Sequence, residues 1–146
     1  MTTATIDYVT SDFASGATVA PRMVSQYVDV TQRIRDRLDQ LRELPGGWDH
    51  EQAKPIDPDA LRLAWTAAEQ FLRARLPEPE LFPVPDGGVQ LEWRAGPVEL
   101  ELEIEPGARA VVFVCDDEQS GQQIDGELPR DESRFGLALA RLNAHA

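Results

Sequence analysis

The side chains best placed to do chemistry are glutamates at alternate positions of one short segment. In residues 98–105 every second residue is a glutamate, and the residues between them are aliphatic. Strict two-residue alternation is typical of a β-strand with one buried face, so the carboxylates should share the other face. With one glutamate of the preceding strand, the candidate partner-binding carboxylates are Glu92, Glu99, Glu101, Glu103 and Glu105.

Carboxylates in such a row could hold a metal ion, cleave a glycosidic bond or attract a basic surface. Successive glutamates of a straight strand stand about 7 Å apart, whereas Ca²⁺ needs oxygens that converge on one point. No aromatic platform for a sugar is identifiable. The pattern therefore favours a docking face for a basic protein partner, and we expect no metal and no cofactor. The alternative is a face that only keeps the sheet soluble.

One other set of residues could supply a nucleophile and a base. Asp49, His50 and Glu51 stand together in a predicted loop, and Cys115 is the single cysteine. Because Cys115 lies in an aliphatic strand, burial should raise its pKa and keep the thiol unreactive. We therefore do not expect an enzyme, although a small hydrolase that combines acidic residues with His50 remains the first alternative.

Trp48 is a further candidate for partner binding. It stands in the same predicted loop, directly after Gly46 and Gly47. Tryptophan is enriched at binding hot spots, so a partly exposed Trp48 would anchor a partner protein. The alternative is an indole that packs inward and pins the loop between two helices.

The charge of the chain limits the class of partner. The 146 residues include 26 acidic and 14 basic side chains, for a formal net charge of −12. Residues 78–127 contain 13 of the acids and two of the bases. A phosphate backbone would be repelled by such a surface, so we expect no direct binding of nucleic acid.

Composition also indicates the compartment. No apolar run approaches the ~20 residues of a membrane helix, and the first residues lack the pattern of a secretion signal. A single cysteine excludes an internal disulfide. These features favour a cytoplasmic protein that does not enter the membrane.

Apolar periodicity predicts the elements that position these residues. Apolar side chains at three- and four-residue steps predict helices, and two-residue alternation predicts strands. The predicted elements are a helix capped by Ser25 and ending near Leu44, a helix over 58–76, an extended proline-rich connector over 77–85, strands over 89–94, 98–105 and 109–115, a short edge strand over 122–128, and a helix over 130–143.

This order predicts an α+β fold. Two N-terminal helices, an antiparallel meander of three to four strands and a C-terminal helix would form a two-layer sandwich. Residues 1–21 should be a flexible N-terminal arm and residues 22–146 a single domain. The arginines of the last helix could then lie over the glutamates and neutralise them: Arg130, Arg134 and Arg141.

Two segments carry a resemblance to a known group of proteins. Residues 44–49 read Leu-Pro-Gly-Gly-Trp-Asp, and residues 85–93 read Pro-Asp-Gly-Gly-Val-Gln-Leu-Glu-Trp. The chain resembles, over about residues 41–105, small uncharacterised bacterial proteins with a Gly-Trp-Asp loop and an Asp-Gly-Gly turn before a strand. That group has no known activity, so the resemblance implies no functional residues.

These observations predict a small bacterial interaction protein with an antitoxin-, immunity- or chaperone-like role. Its basic protein partner would contact the five glutamates and Trp48. The second alternative is a structural subunit whose apolar helix faces close a homodimer.

Overall fold

Two helices, a five-stranded sheet and a third helix follow one another over residues 21–146. A computed structural model describes residues 21–146, with side chains from Gln26 onward. Residues 1–20 of the predicted arm lie outside the described residues. The elements are α1 (Pro21–Arg42), α2 (Pro58–Arg73), β1 (Glu80–Pro83), β2 (Val89–Ala95), β3 (Val98–Ile104), a 3₁₀ turn (Pro106–Ala108), β4 (Val111–Asp117), β5 (Gln122–Leu128) and α3 (Glu132–Ala144).

The strands form one antiparallel sheet in which each strand pairs with its neighbour in sequence, in the order β1 to β5. The three helices share a single core with the buried side chains of the sheet. The predicted α+β sandwich is therefore confirmed, with five strands instead of three to four. The predicted cap of α1 is wrong, because the helix begins at Pro21 and Ser25 lies inside it.

Aromatic rings connect α2 and α3 to the sheet. Phe71 of α2 meets Trp93 of β2 edge-on, with ring centroids 4.4 Å apart. Phe135 of α3 lies 6.3 Å from Phe71 and 5.1 Å from Phe113 of β4. All four side chains are fully buried, and burial of each ring contributes about 1.5–3 kcal/mol to folding. This cluster holds both helices on the same face of the sheet.

α2 begins as its sequence predicts. Asp57 is the N-cap, its carboxylate accepts the backbone N–H of Ala60 at 3.0 Å, and Pro58 occupies the first turn. The same carboxylate oxygen accepts the backbone N–H of Gly107 at 2.8 Å, in the turn between β3 and β4. One side chain therefore caps α2 and attaches it to an end of the sheet.

The proline-rich segment forms a strand that the sequence analysis did not predict. Within the predicted connector over 77–85, Glu80–Pro83 pairs with β2 and forms an edge of the sheet, and Pro85 lies in the turn that follows. Proline lacks an N–H and is tolerated in sheets mainly at edges, so its presence hides an edge strand from a reading of the sequence. Leu81 turns into the core and is 4% exposed. Its carbonyl accepts the Arg37 Nε–H of α1 at 3.0 Å.

β4 begins and ends two residues later than predicted, and it carries a buried charge at its end. Asp117 is 8% exposed and pairs with Arg141 of α3 at 2.9 Å. Burial opposes ionisation of Asp117. Hydrogen bonds from Ser120, from the backbone N–H of Gln119 and from Arg141 outweigh burial and hold the pKa of Asp117 below its ordinary value. This carboxylate thus belongs to the contact between α3 and the sheet.

Substitution by alanine at two glycines should change the free energy of unfolding in opposite directions. A Cβ at Gly126 of β5 would lie 2.6 Å from Asp131 Cβ and 2.9 Å from Phe113 Cζ, whereas a Cβ at Gly136 of α3 would meet nothing within 4 Å. We expect Gly126→Ala to lower the free energy of unfolding by about 1–3 kcal/mol through overpacking. Gly136→Ala should raise it by about 0.5–1 kcal/mol, because alanine favours the helix.

Urea unfolding followed by circular dichroism measures both changes. A gain in stability for Gly126→Ala would contradict the close approach of α3, β4 and β5 at that position.

Candidate protein-interaction surface

The side chains that point away from the helices form one continuous face. Along β3 the buried residues alternate strictly with half-buried glutamates, and each neighbouring strand continues the pattern in register. We call this surface the outer face. Its side chains are Glu80, Phe82, Gln90, Glu92, Arg94, Glu99, Glu101, Glu103, Val112, Val114, Asp116, Gln123, Asp125 and Glu127.

The register aligns three carboxylates across the sheet. Glu80 of β1 is opposite Glu92 of β2, and Glu92 is opposite Glu101 of β3. We call these three residues the central row. Residues directly opposite in an antiparallel sheet have Cβ atoms about 4.5–5.5 Å apart, and like charges there are destabilising. At about 5 Å two unit charges repel by about 0.8 kcal/mol in bulk water.

Few cations reach the outer face. Arg94 is its one basic residue, and it forms an ion pair with Glu99. Glu92 accepts a hydrogen bond from the Gln90 amide at 2.7 Å, which leaves its charge in place. Among the described residues, no Lys, Arg or His forms an ion pair with Glu80, Glu92 or Glu101.

Two glutamates of β3 are harder to ionise than usual. Burial raises the pKa of Glu101, and the carboxylates of Glu92, Glu99 and nearby acids raise it further. Burial also raises the pKa of Glu103, with smaller contributions from neighbouring acids. Both carboxylates are partly shielded from water and face like charges, so their ionised state is costly in the free protein.

The arginines in and beside α3 do not pair with the glutamates of β3, and this part of the sequence analysis was wrong. α3 packs on the opposite side of the sheet. Arg141 pairs with Asp117, and Arg134 donates to the carbonyl of Asp125 at 3.3 Å. Arg130, which precedes α3, pairs with Asp131 at 3.1 Å and lies 3.9 Å from Glu127 at the border of the outer face.

Charge is instead separated between the two layers. The strands contain nine acids and one arginine, while the helices contain nine arginines and six acids.

A cavity of about 420 Å³ opens at one corner of the outer face. Its lining includes Glu80 and Glu92 of the central row, with Glu78, Arg94 and Glu99 beside them. Glu78 is held by a bidentate contact from Arg33 of α1, with N–O distances of 2.9 and 2.8 Å. Within this cavity, Glu80 and Glu92 are therefore the carboxylates that no cation of the described chain neutralises.

The predicted partner-binding residues fall in two places. Glu92, Glu99, Glu101 and Glu103 lie on the outer face, and Glu105 follows the end of β3. Trp48 lies in the loop between α1 and α2, where its indole N–H donates to the carbonyl of Lys54 at 3.1 Å.

Backbone hydrogen bonds attach the Trp48 loop to the turn between β1 and β2. The Lys54 N–H donates to the carbonyl of Pro85 at 2.8 Å, and the Asp57 N–H donates to that of Gly87. Trp48 thus helps to shape the connection between two helices.

The structure does not combine His50 and Cys115 into one site. His50 is exposed, and the Asp49 carboxylate beside it accepts the backbone N–H groups of Glu51 and Ala53, which lower its pKa. Cys115 is 1% exposed, donates to the carbonyl of Ala138 in α3, and has a pKa raised by burial.

The two residues also differ in position along the sheet. The His50 loop is attached to the turn before β2, at the Val111 end of β4, whereas Cys115 lies about 13 Å further along that strand. Among residues 21–146, no group of three or more His, Cys, Asp or Glu side chains is arranged to hold a metal ion.

Four acids of the outer face were not predicted as partner-binding residues: Glu80, Asp116, Asp125 and Glu127. Glu80 was missed because its strand was interpreted as a connector. Asp116 was assigned to a loop, although the alternation of β4 continues through it. Asp125 and Glu127 stand two residues apart in a predicted strand, which is the signal that could have identified them.

Comparisons with known proteins give no relative for this chain. No protein-family model, no curated protein and no solved structure matches it. In the part of the chain that the structure describes, none of the helices combines the length and apolar character of a membrane span.

Removing one charge from the central row should stabilise the protein at neutral pH. We expect Glu101→Gln to raise the free energy of unfolding at pH 7 by a few tenths to about 1 kcal/mol, because it removes a like-charge pair with Glu92. A raised pKa in the folded state lowers stability as pH rises through it. The gain should therefore disappear below about pH 4, where the wild-type carboxylate is protonated.

Glu118→Gln is the matched control, since it removes the same charge from the exposed turn after β4. Urea unfolding at several pH values provides the comparison. An equal gain in both variants would attribute the effect to net charge and not to the central row.

Proposed function

We propose that this protein is a non-enzymatic interaction module that binds a basic protein partner through its outer face. The observation that carries the proposal is the central row. Three carboxylates stand directly opposite one another across β1, β2 and β3, and no cation of the described chain pairs with them. A partner that supplies lysine or arginine side chains would remove their mutual repulsion on binding.

Charge complementarity explains what such a face contributes. Opposite charges on two proteins accelerate encounter and select the partner, whereas exposed single ion pairs add little affinity. The shielded carboxylates Glu101 and Glu103 differ from exposed ones, because their ionisation is already costly in the free protein. A basic partner that lowers this cost of ionisation therefore binds more tightly. The corner cavity beside Glu80 and Glu92 has room for the end of one basic side chain.

The outer face also offers an apolar contact at its centre. Val112 and Val114 of β4 stand between the glutamates of β3 and the acids of β5. Val112 is 37% exposed, and burial of such a side chain under a partner excludes water from the surrounding ion pairs. The partner is therefore a basic protein that places an apolar residue within its positive surface.

An antitoxin-, immunity- or chaperone-like role in a bacterial cytoplasm is the concrete form of this proposal. The hydrolase alternative has less support, because the Asp49 carboxylate beside His50 is engaged by its own loop. The homodimer alternative has less support as well. The large apolar side chains exposed in the described residues are dispersed over α1, β4 and α3: Val28, Val112 and Leu137.

The decisive experiment compares two variants of equal net charge. The first is Glu80→Gln/Glu92→Gln/Glu101→Gln, which neutralises the central row. The control is Glu43→Gln/Glu51→Gln/Glu118→Gln, which removes three exposed carboxylates outside the outer face. The partner is captured from the native host on immobilised full-length protein, identified by mass spectrometry, purified and titrated against each variant.

We expect a basic protein whose affinity falls at least about tenfold in the central-row variant, equivalent to about 1.4 kcal/mol, and stays within a factor of two in the control. Binding should also weaken with salt. An equal loss of affinity in both variants would attribute the effect to net charge and not to the central row. Unchanged affinity in the central-row variant would show that the outer face is not the binding surface.

A further inference from the structure

A second surface lies in the helical layer and has the opposite charge. α1 and α2 enclose a groove with a volume of about 410 Å³. Its floor is formed by Leu38 and Leu61, which are 5% and 3% exposed, and Trp65 forms a wall. Three arginines and one carboxylate stand around the opening: Arg35, Arg42, Arg62 and Asp39. We call this site the helical groove.

Arg35 is a free cation held in place over an aromatic ring. Its guanidinium carbon lies 4.8 Å from the centroid of the Trp65 ring, within the range of a cation–π contact. Among the described residues no carboxylate forms an ion pair with Arg35. The indole therefore orients a positive charge at the groove without neutralising it.

The other two arginines are held by weak local pairs. Arg42 contacts Asp39 at 2.6 Å and Arg62 contacts Asp59 at 2.5 Å, each three residues away on its own helix. All four side chains are more than half exposed, and exposed pairs of this kind contribute about 0.3–0.5 kcal/mol. Both arginines can turn toward an anion in the groove at little cost.

We propose that the helical groove binds an acidic peptide segment of another protein. The floor of leucines and the tryptophan wall accept an aliphatic side chain, and the three guanidinium groups accept carboxylates beside it. An inorganic anion would leave the apolar floor empty. A stacked nucleobase is disfavoured because Arg35 already occupies one face of the indole. A nucleic acid would meet only a short basic surface on a strongly acidic protein.

This proposal is independent of the one made for the outer face. The groove belongs to the helical layer, and the sheet separates it from the central row. Packed layers lie about 10 Å apart and the outer face is on the far side of the sheet, so its acids lie more than one Debye length from the groove in physiological salt. Two surfaces of opposite charge would let one molecule contact two different partners.

The test uses full-length protein and a fluorescein-labelled peptide of four Asp-Asp-Leu repeats, with anisotropy and Trp fluorescence as readouts. The comparison peptide has asparagine in place of every aspartate. Arg35→Gln/Arg62→Gln neutralises two arginines of the groove. Arg75→Gln/Arg109→Gln is the matched control, since both arginines are exposed and lie outside the groove.

We expect the acidic peptide to bind wild type and the control alike, and to bind Arg35→Gln/Arg62→Gln at least about tenfold more weakly. The asparagine peptide should bind wild type at least about tenfold more weakly than the acidic peptide does. The central-row variant Glu80→Gln/Glu92→Gln/Glu101→Gln should retain peptide binding, so that failure of one proposal is distinguishable from failure of the other.

Four results would overturn the proposal. One is the absence of peptide binding to wild type, and another is equal binding to the groove variant. Tighter binding by full-length Asp7→Asn/Asp12→Asn would identify the N-terminal segment of the same chain as the occupant. A change in mass by light scattering for Arg35→Gln/Arg62→Gln would identify a second copy of the protein as the occupant.

Discussion

The antiparallel register of β1, β2 and β3 is the constraint on which the rest of the molecule depends. Side chains of a strand alternate between faces, so a shift of one residue would move every leucine of β3 outward and every glutamate into the core. Burial of the β3 aliphatic residues makes such a shift very unfavourable. The same register that completes the core therefore forces Glu80, Glu92 and Glu101 into direct opposition. The repulsion in the central row is a consequence of a well-specified core.

The helices depend on this sheet for their position. Phe71 and Phe135 are held against rings of β2 and β4, and Asp57 joins the first turn of α2 to the turn after β3. Arg37 of α1 donates to a carbonyl of β1. α1 and α2 thereby lie side by side at a fixed distance, which opens the helical groove above Leu38 and Leu61. The outer face and the helical groove therefore both result from the packing of a single core.

The sequence predicted the architecture well because its strongest signals are local. The eight-residue alternation over 98–105, the Asp57-Pro58 start of α2 and the helical spacing in α3 each specify an element without reference to any other. The central row could not be predicted in the same way. The spacing of about 7 Å along one strand is visible in the sequence, whereas the closer approach of Glu80, Glu92 and Glu101 requires the pairing of three strands. β1 was itself hidden by the prolines in and beside it. The helical groove requires the packing of two helices, which the sequence does not show.

The separation of charge between the two layers has a physical consequence of its own. Acids concentrated in the strands and arginines concentrated in the helices give the molecule a permanent electric dipole directed from one layer to the other. In the field of a charged surface such a molecule rotates before contact, because the torque acts over distances at which no atoms touch. On a cationic support it would be held sheet first, with the helices facing the solvent. The charge distribution of this protein thus selects the orientation in which it approaches a charged surface or partner.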